Sequence, residues 1–327
     1  MTASVTVEPG ARPISGRLPD FFIVGHAKSG TTALYEMLRA HPQIYMPALK
    51  ETRFFARDMH PGLRRSSSHP VTLEDYLALF AAAGPEQLAG EASPSYLRSA
   101  SAAARIAALQ PDARIIAILR EPVSFLRSLH LQLLESHVET EKSLREAIAR
   151  EPLRRREREQ DQSSTDQGLL YSEHVRYVEQ LERLGAVFAP EQVLVLIYDD
   201  FQADNDATVR RVLRFLGVDD GLALELRHAN PTVRVRSPGM YRGLRSLYLG
   251  DGPIARPTKT AIKALVPRRL RRAGVTTLRR RMVSGEPAKE DEQLTRELRR
   301  RFLGEVVALS EYLRRDLVEL WGYDHLA

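Results

Sequence analysis

Short, wholly apolar runs alternate along the chain with longer stretches whose apolar residues recur every three or four positions. Phe21 to Gly25 (FFIVG), Arg114 to Leu119 (RIIAIL) and Val193 to Tyr198 (VLVLIY) are near-continuous apolar runs, the pattern of strands buried on both faces of a parallel sheet. Helical stripes separate them. Leu34, Met37, Leu38 and His41 share a face that Pro42 closes, and Phe125, Leu126, Leu129 and Leu133 line a helix beginning near Pro122. Tyr177, Val178, Leu181 and Leu184 predict another helix within 171–184. A further stripe, Val209, Val212, Leu213 and Leu216, can be capped by Asp204 and ended by Gly217. One long final helix is expected to carry Leu294, Leu298, Phe302, Val306, Leu309, Leu313, Leu317 and Leu320. Strands alternating with helices imply an α/β fold of three layers, a central parallel sheet flanked by helices, with ligands at the carboxyl ends of the strands.

Residues 1–20 lack the apolar centre of a secretory signal and predict a frayed tail, which leaves 21–327 as a single domain. Two stretches break the strand and helix rhythm. Glu139 to Gln167 is charge-dense and nearly free of large apolar residues after Leu153, which predicts a charged lid or surface excursion. Asn230 to Pro267 is rich in Pro, Gly and Arg, and together with the charges that follow it forms a basic irregular region over 230–301.

Composition narrows the chemistry. The 327 residues include no cysteine, so disulfides, thiolate metal sites and cysteine nucleophiles are excluded together. No apolar run approaches the ~20 residues that span a bilayer, and a cytoplasmic protein is expected. The net charge of +6 is uneven: Ile254 to Arg301 holds fifteen Lys/Arg against five Asp/Glu, or +10, which leaves −4 elsewhere. That segment reads either as solvated helix faces or as a contact for an anionic or lipid surface. Nucleic acid is not expected, because the basic residues are not interleaved with aromatics for base stacking.

The strongest local signal is GHAKSGTT, Gly25 to Thr32, between the first strand and its helix. Glycines let the backbone curl toward a ligand, amides of the turn and helix start face an anion, and Lys28, Ser29, Thr31 and Thr32 add donors. This is a P-loop-like phosphate cradle. The nucleotide triphosphatase loop needs Lys directly after its last Gly, whereas here Thr31 follows Gly30 and the lysine lies two places before it. A loop of this kind suits one phosphate with its leaving group rather than a β,γ-phosphate pair with magnesium. The second signal is ILREPVSFLRSLH, Ile118 to His130. Arg120 stands at the end of a strand, the helix near Pro122 offers its positive end, and Ser128 lies about two turns along. Glu51, in KETRFF, is a candidate general base, with His26 and His130 in reserve.

FFIVGHAKSGTTALYEML, the following His41-Pro42 and the KETRFF segment resemble the sulfotransferases that use 3'-phosphoadenosine 5'-phosphosulfate (PAPS). The likeness is to the branch that includes the heparan sulfate sulfotransferases and many bacterial relatives. This resemblance implies that the loop with Lys28, Ser29, Gly30, Thr31 and Thr32 binds the 5'-phosphosulfate, with Lys28 at the oxygen bridging phosphorus and sulfur. It makes Glu51 the base and assigns the 3'-phosphate to Arg120 and Ser128. A basic loop late in the chain would cover the adenine end, for which Arg234 and Arg236 in NPTVRVRSP are the candidates. GEASPSYL, Gly90 to Leu97, resembles a family segment in which many members carry lysine where this chain has Ala92. The implied function is sulfuryl transfer from PAPS to a hydroxyl or amine of a carbohydrate, lipid-linked or small-molecule acceptor, without a metal.

The residue chemistry agrees with that reading: a carboxylate takes the acceptor proton while a lysine offsets charge on the departing phosphate. Two alternatives stay open. A phosphoryl-transfer enzyme of the same fold would want an aspartate for magnesium at the end of the second strand, where Arg120 and Glu121 stand. A non-catalytic module would use the basic segment to dock on acidic surfaces.

Overall fold

A computed structural model of the chain describes residues 16–59, 69–160, 166–221 and 291–326. In chain order its elements begin with β1 (Phe21–Ile23), α1 (Thr31–Arg39), β2 (Ile44–Tyr45), α2 (Leu73–Ala78), β3 (Leu88–Ala92), α3 (Ser95–Arg98) and α4 (Ala102–Leu109). Then come β4 (Arg114–Leu119), α5 (Pro122–Glu135), α6 (Leu144–Ala149), α7 (Glu151–Gln160), α8 (Tyr171–His174) and α9 (Tyr177–Gly185). β5 (Val193–Ile197), α10 (Tyr198–Ala203), α11 (Asn205–Leu216), α12 (Glu292–Leu313) and α13 (Leu317–Leu320) follow.

The five strands form one parallel sheet in the order β2-β3-β1-β4-β5. Successive side chains of a strand point to opposite faces, and that alternation divides the core into two halves. Phe21, Ile23, Ile116 and Ile118 pack with Leu34 and Leu38 of α1 and Val212 and Leu213 of α11. On the other face, Phe22, Ile115, Ala117 and Leu119 meet Ile106 of α4, Phe125 of α5, Leu181 of α9 and Phe302 of α12. The three layers expected from the sequence are therefore present. Register places Ile23 beside Ala92 and Ile116, and Leu119 beside Ile197, so the loops after β1, β3, β4 and β5 emerge along one edge of the sheet. The chain leaves β1 toward β2 and β4 toward β5, on opposite sides. The crevice between these loops is the topological switch point where open α/β sheets take ligands.

Several sequence expectations change. The apolar runs predict three strands, and the sheet has two more: β2 is only two residues long, and β3 (LAGEA) hides an acidic residue among small ones. The tail is not frayed up to residue 20, since the Arg17 guanidinium donates to Gly84 O at 3.2 Å and Asp20 accepts from the Ala89 amide at 2.6 Å. The charged excursion is partly core: Leu144, Ala147 and Ile148 are buried, and buried Arg154 pairs with buried Glu139 at 2.9 Å. A charged sequence is accommodated there because its buried charges are matched. The final helix is two helices. Arg314 adopts φ 50°, Asp316 caps the next turn through the Glu319 amide, and Leu317 and Leu320 belong to α13. Arg234, Arg236 and most of the basic segment lie outside the described residues. Among the described residues no helix is long and apolar enough to cross a membrane.

Gly25 ends β1 against the backbone of β4: a Cβ there would lie 2.4 Å from Ile118 N. Backbone cannot step aside as a side chain can, so Gly25→Ala is expected to cost about 1–3 kcal/mol or more. Gly304, exposed in the middle of α12, has nothing within 4 Å of a built Cβ. Gly304→Ala should therefore stabilise by roughly 0.4–1 kcal/mol. Urea denaturation of both variants checks the pair.

Candidate active site

The loop after β1 curls because two of its residues take left-handed backbone, Lys28 at φ 66° and Gly30 at φ 87°. Gly30 is pressed against the Phe201 and Tyr198 rings, 2.9 Å and 3.3 Å from where a Cβ would sit, so both conformation and space require glycine. As the N-cap of α1, Gly30 offers no side chain to the first-turn amides, and no acidic residue occupies that turn. The helix start is thus left for an anion. Ser29 is fully buried in the loop, and its Oγ has no hydrogen-bond partner. Lys28 Nζ has none among the described residues either.

Arg120, at the end of β4, ties this loop to α5. Its NH1 donates to the Lys28 carbonyl at 2.9 Å, its Nε and NH2 donate to Ser124 Oγ at 3.0 and 2.7 Å, and its guanidinium lies 4.6 Å from the Tyr198 ring centroid. Three of the five N–H groups of an arginine are so engaged, and the other two remain for a ligand. Tyr177 holds the same residue from behind, its hydroxyl donating to Arg120 O at 2.8 Å. Two turns along α5, Ser128 Oγ is buried without a partner. The expectation that α5 presents its positive end to the ligand is corrected. The Glu121 carboxylate caps it, accepting from the Ser124 amide at 2.5 Å and from the Tyr323 hydroxyl at 2.8 Å.

The KETRFF segment hangs from the end of β3. The Glu51 amide donates to Ala92 O at 2.9 Å and the Arg53 amide to Ser93 Oγ at 3.1 Å, while the Ser93 amide donates to Ile23 O at 3.1 Å. Glu51 therefore reaches the sheet edge from which the phosphate loop springs. Glu51 and Arg53 have φ 62° and 57°, so with Lys28 they make three of the five non-glycine residues with positive φ among the described residues. Strained backbone of this kind gathers where function fixes geometry. Lys50 Nζ and Arg53 NH2 each lie 3.0 Å from a Glu51 oxygen. Burial raises the Glu51 pKa, but the two cations and their hydrogen bonds outweigh it and hold the carboxyl below its ordinary value.

The reserve histidines are committed elsewhere. His26 is buried between Phe125 and Tyr177, shares a 2.8 Å contact with Gln180 Oε1, and is lowered to about 3 by burial and then by Arg98. Both ring nitrogens of His130 are occupied, by the Tyr171 hydroxyl at 2.8 Å and Lys142 O at 3.1 Å. Sequence reading missed the tyrosines that brace Arg120 and the buried Glu91 beneath the Glu51 segment. The one available signal for Glu91 was an acid between small residues, flanked by Ser93 and Tyr96. Beside the segment, an open pocket of about 340 Å³ is lined by Phe54, Phe55, Arg57, Leu73, Arg105 and Leu109. No group of three or more His, Asp or Glu among the described residues is arranged to hold a metal ion.

Residues 19–221 match the model of the Sulfotransferase family. Heparan sulfate glucosamine 3-O-sulfotransferase 3A1 of Mus musculus is 36% identical over 121 residues, which is 37% of this chain and 28% of that protein. Carbohydrate sulfotransferase 15 of Homo sapiens is 34% identical over 161 residues, again covering 37% of this chain and 28% of its length. The match thus spans little more than a quarter of these curated relatives. Among solved structures, a sulfotransferase from Alicyclobacillus acidocaldarius superposes with TM-score 0.67 at 26% identity, over 93% of this chain and 99% of that one.

Since neither buried serine hydroxyl has a bond to lose, Ser29→Ala and Ser128→Ala should leave the melting temperature within about 2 °C. Thermal melts of both variants check this.

Proposed function

The chain belongs to the sulfotransferase family, and from that premise we propose that it transfers the sulfuryl group of PAPS to a hydroxyl of a carbohydrate acceptor. The observation that carries the reading is that Ser29, in the loop after β1, and Ser128, in α5, are two of the three serines among the described residues whose buried hydroxyl has no partner, and that Arg120, just before α5, bonds the same loop. Native structures rarely bury polar groups without partners, and one such hydroxyl next to the uncapped start of α1 with another on α5 fits a ligand phosphorylated at both ends. The relatives named for heparan sulfate and carbohydrate sulfotransferase activity support the acceptor class.

PAPS supplies an activated sulfuryl group: the acceptor oxygen bonds to sulfur as the bond from sulfur to the phosphate oxygen breaks, and that electron pair leaves with the phosphate. In this reading Glu51 takes the acceptor proton. Its ionised state at neutral pH, secured by Lys50 and Arg53, leaves a carboxylate ready to accept it. Lys28, with no competing partner among the described residues, offsets charge on the departing phosphate. The loop amides with Ser29, Gly30, Thr31 and Thr32 hold the 5' end, and Arg120 with Ser128 the 3' end. Arg234 and Arg236 remain candidates for the adenine side. Phosphoryl transfer is the less favoured reading, because the carboxylate at the end of β4, Glu121, is already spent on the Ser124 amide and Tyr323.

Calorimetry should show adenosine 3',5'-bisphosphate preferred over ADP and magnesium-ATP by at least about tenfold, a preference that shrinks in Arg120→Ala. Equal or tighter magnesium-ATP binding, indifferent to Arg120, sinks the assignment. Glu51→Gln should keep donor affinity and lose turnover of PAPS, assayed with desulfated heparan sulfate as acceptor, whereas Lys28→Ala should impair both.

The pH dependence has a definite sign. A carboxylate whose folded pKa is depressed stays active down to that pKa and loses function as pH falls through it. Lys50→Met removes the cation foremost in lowering it, so the acid limb of the rate profile should move to higher pH.

A further inference from the structure

Glu91 sits on β3, between β2 and β1, fully buried and with no cation bonded to its carboxyl among the described residues. Four hydroxyl groups surround it instead. Thr52 Oγ1 and Ser93 Oγ donate to Oε1 at 2.7 and 2.6 Å, and the Tyr76 and Tyr96 hydroxyls donate to Oε2 at 2.6 and 3.1 Å. A fifth contact joins Thr52 Oγ1 to the Tyr96 hydroxyl at 3.0 Å. Each of these hydroxyls but that of Tyr76 also receives a backbone amide of the KETRFF segment. The Arg53 amide donates to Ser93 Oγ at 3.1 Å, the Phe54 amide to Thr52 Oγ1 at 3.3 Å and the Phe55 amide to the Tyr96 hydroxyl at 3.4 Å. The carboxyl thereby orients three hydroxyls that hold three consecutive amides, those of residues 53–55, starting at the left-handed turn at Arg53.

We propose that Glu91 is a positioning residue: through Thr52, Ser93 and Tyr96 it fixes the strained Glu51–Arg53 turn so that the Glu51 carboxylate stays between Lys50 and Arg53. This rests on the reading of Glu51 as the base for its importance to turnover, but not for its geometry. Burial, which opposes a charge on this carboxyl, raises the Glu91 pKa against the four hydrogen bonds, which lower it. An amide of the same shape keeps an acceptor oxygen toward Thr52 and Ser93 and should serve.

The test is the titration of Glu51, followed by carboxyl carbon NMR on glutamate-labelled protein, with the signal assigned by its loss in Glu51→Gln. Lys50 and Arg53 are the charged groups that face this carboxylate at hydrogen-bonding distance. In Glu91→Leu and Thr52→Val the midpoint should rise by about half a unit or more toward the ordinary value of about 4.3. Glu91→Gln and Thr52→Ser should keep it low. Turnover should fall at least about tenfold in the first pair while affinity for adenosine 3',5'-bisphosphate stays within about twofold. If Glu91→Leu does not fold, Thr52→Val decides. An unchanged Glu51 midpoint in Thr52→Val, or a loss of donor affinity that tracks a loss of thermal stability, overturns the proposal. Full turnover by Glu51→Gln would instead remove the base assignment, and the midpoint shift would still judge Glu91.

Discussion

The hydrogen bond from the Arg120 guanidinium to the Lys28 carbonyl ties the loop after β1 to the end of β4, where α5 begins. The loop after β1 can aim its amides inward only by turning left-handed at Lys28, a conformation that costs a non-glycine residue of order 1 kcal/mol. A hydrogen bond from a charged donor contributes about 1.5–3 kcal/mol, enough to offset that strain. The same guanidinium reaches Ser124 on α5 and stacks on Tyr198 after β5. Its position is therefore agreed by three strands of the sheet, and the loop inherits the rigidity of all of them. The left-handed turn at Lys28 is thus formed before any ligand arrives, as preorganised electrostatic sites require.

The Glu51 segment repeats this logic with hydroxyl groups. Lys50 and Arg53 hold the Glu51 carboxyl below its ordinary pKa, yet three charges on a short strained turn would not hold one geometry unaided. Hydroxyls beneath the turn hold its backbone instead, so the charged side chains need not serve as anchors. The charges of Lys50, Glu51 and Arg53 stay at the partly exposed edge.

How much of this the sequence announces depends on which residues do the work. β1, β4 and β5 are visible as apolar runs because both of their faces are buried, and the Lys28 loop is visible because glycine and hydroxyl residues cluster where a strand meets a helix. β3 is hidden, since Gly90 and Glu91 suit a central strand only when Phe21 packs against one and four hydroxyls surround the other. Those partners come from distant parts of the chain, and no local pattern encodes them. The break after Leu313 was hidden for a similar reason: the apolar stripe continues in phase through Leu317 and Leu320, while Arg314 turns left-handed and Asp316 starts a new cap. Arg154, Glu139 and Tyr171 show the converse error, where a charged stretch looks solvated although its charges are matched across the fold.

The two helix starts at the site also differ in a way that decides what each can bind. α1 begins at a glycine with no capping side chain, so its first-turn amides are available as a positive patch. α5 begins with Glu121, whose carboxylate already satisfies the Ser124 amide and is held there by Tyr323 from the far end of the chain. An anion near α5 would therefore have to be gripped by side chains rather than by a helix end. Side-chain recognition depends on residue identity and spacing, whereas a backbone cradle alone accepts any phosphate ester.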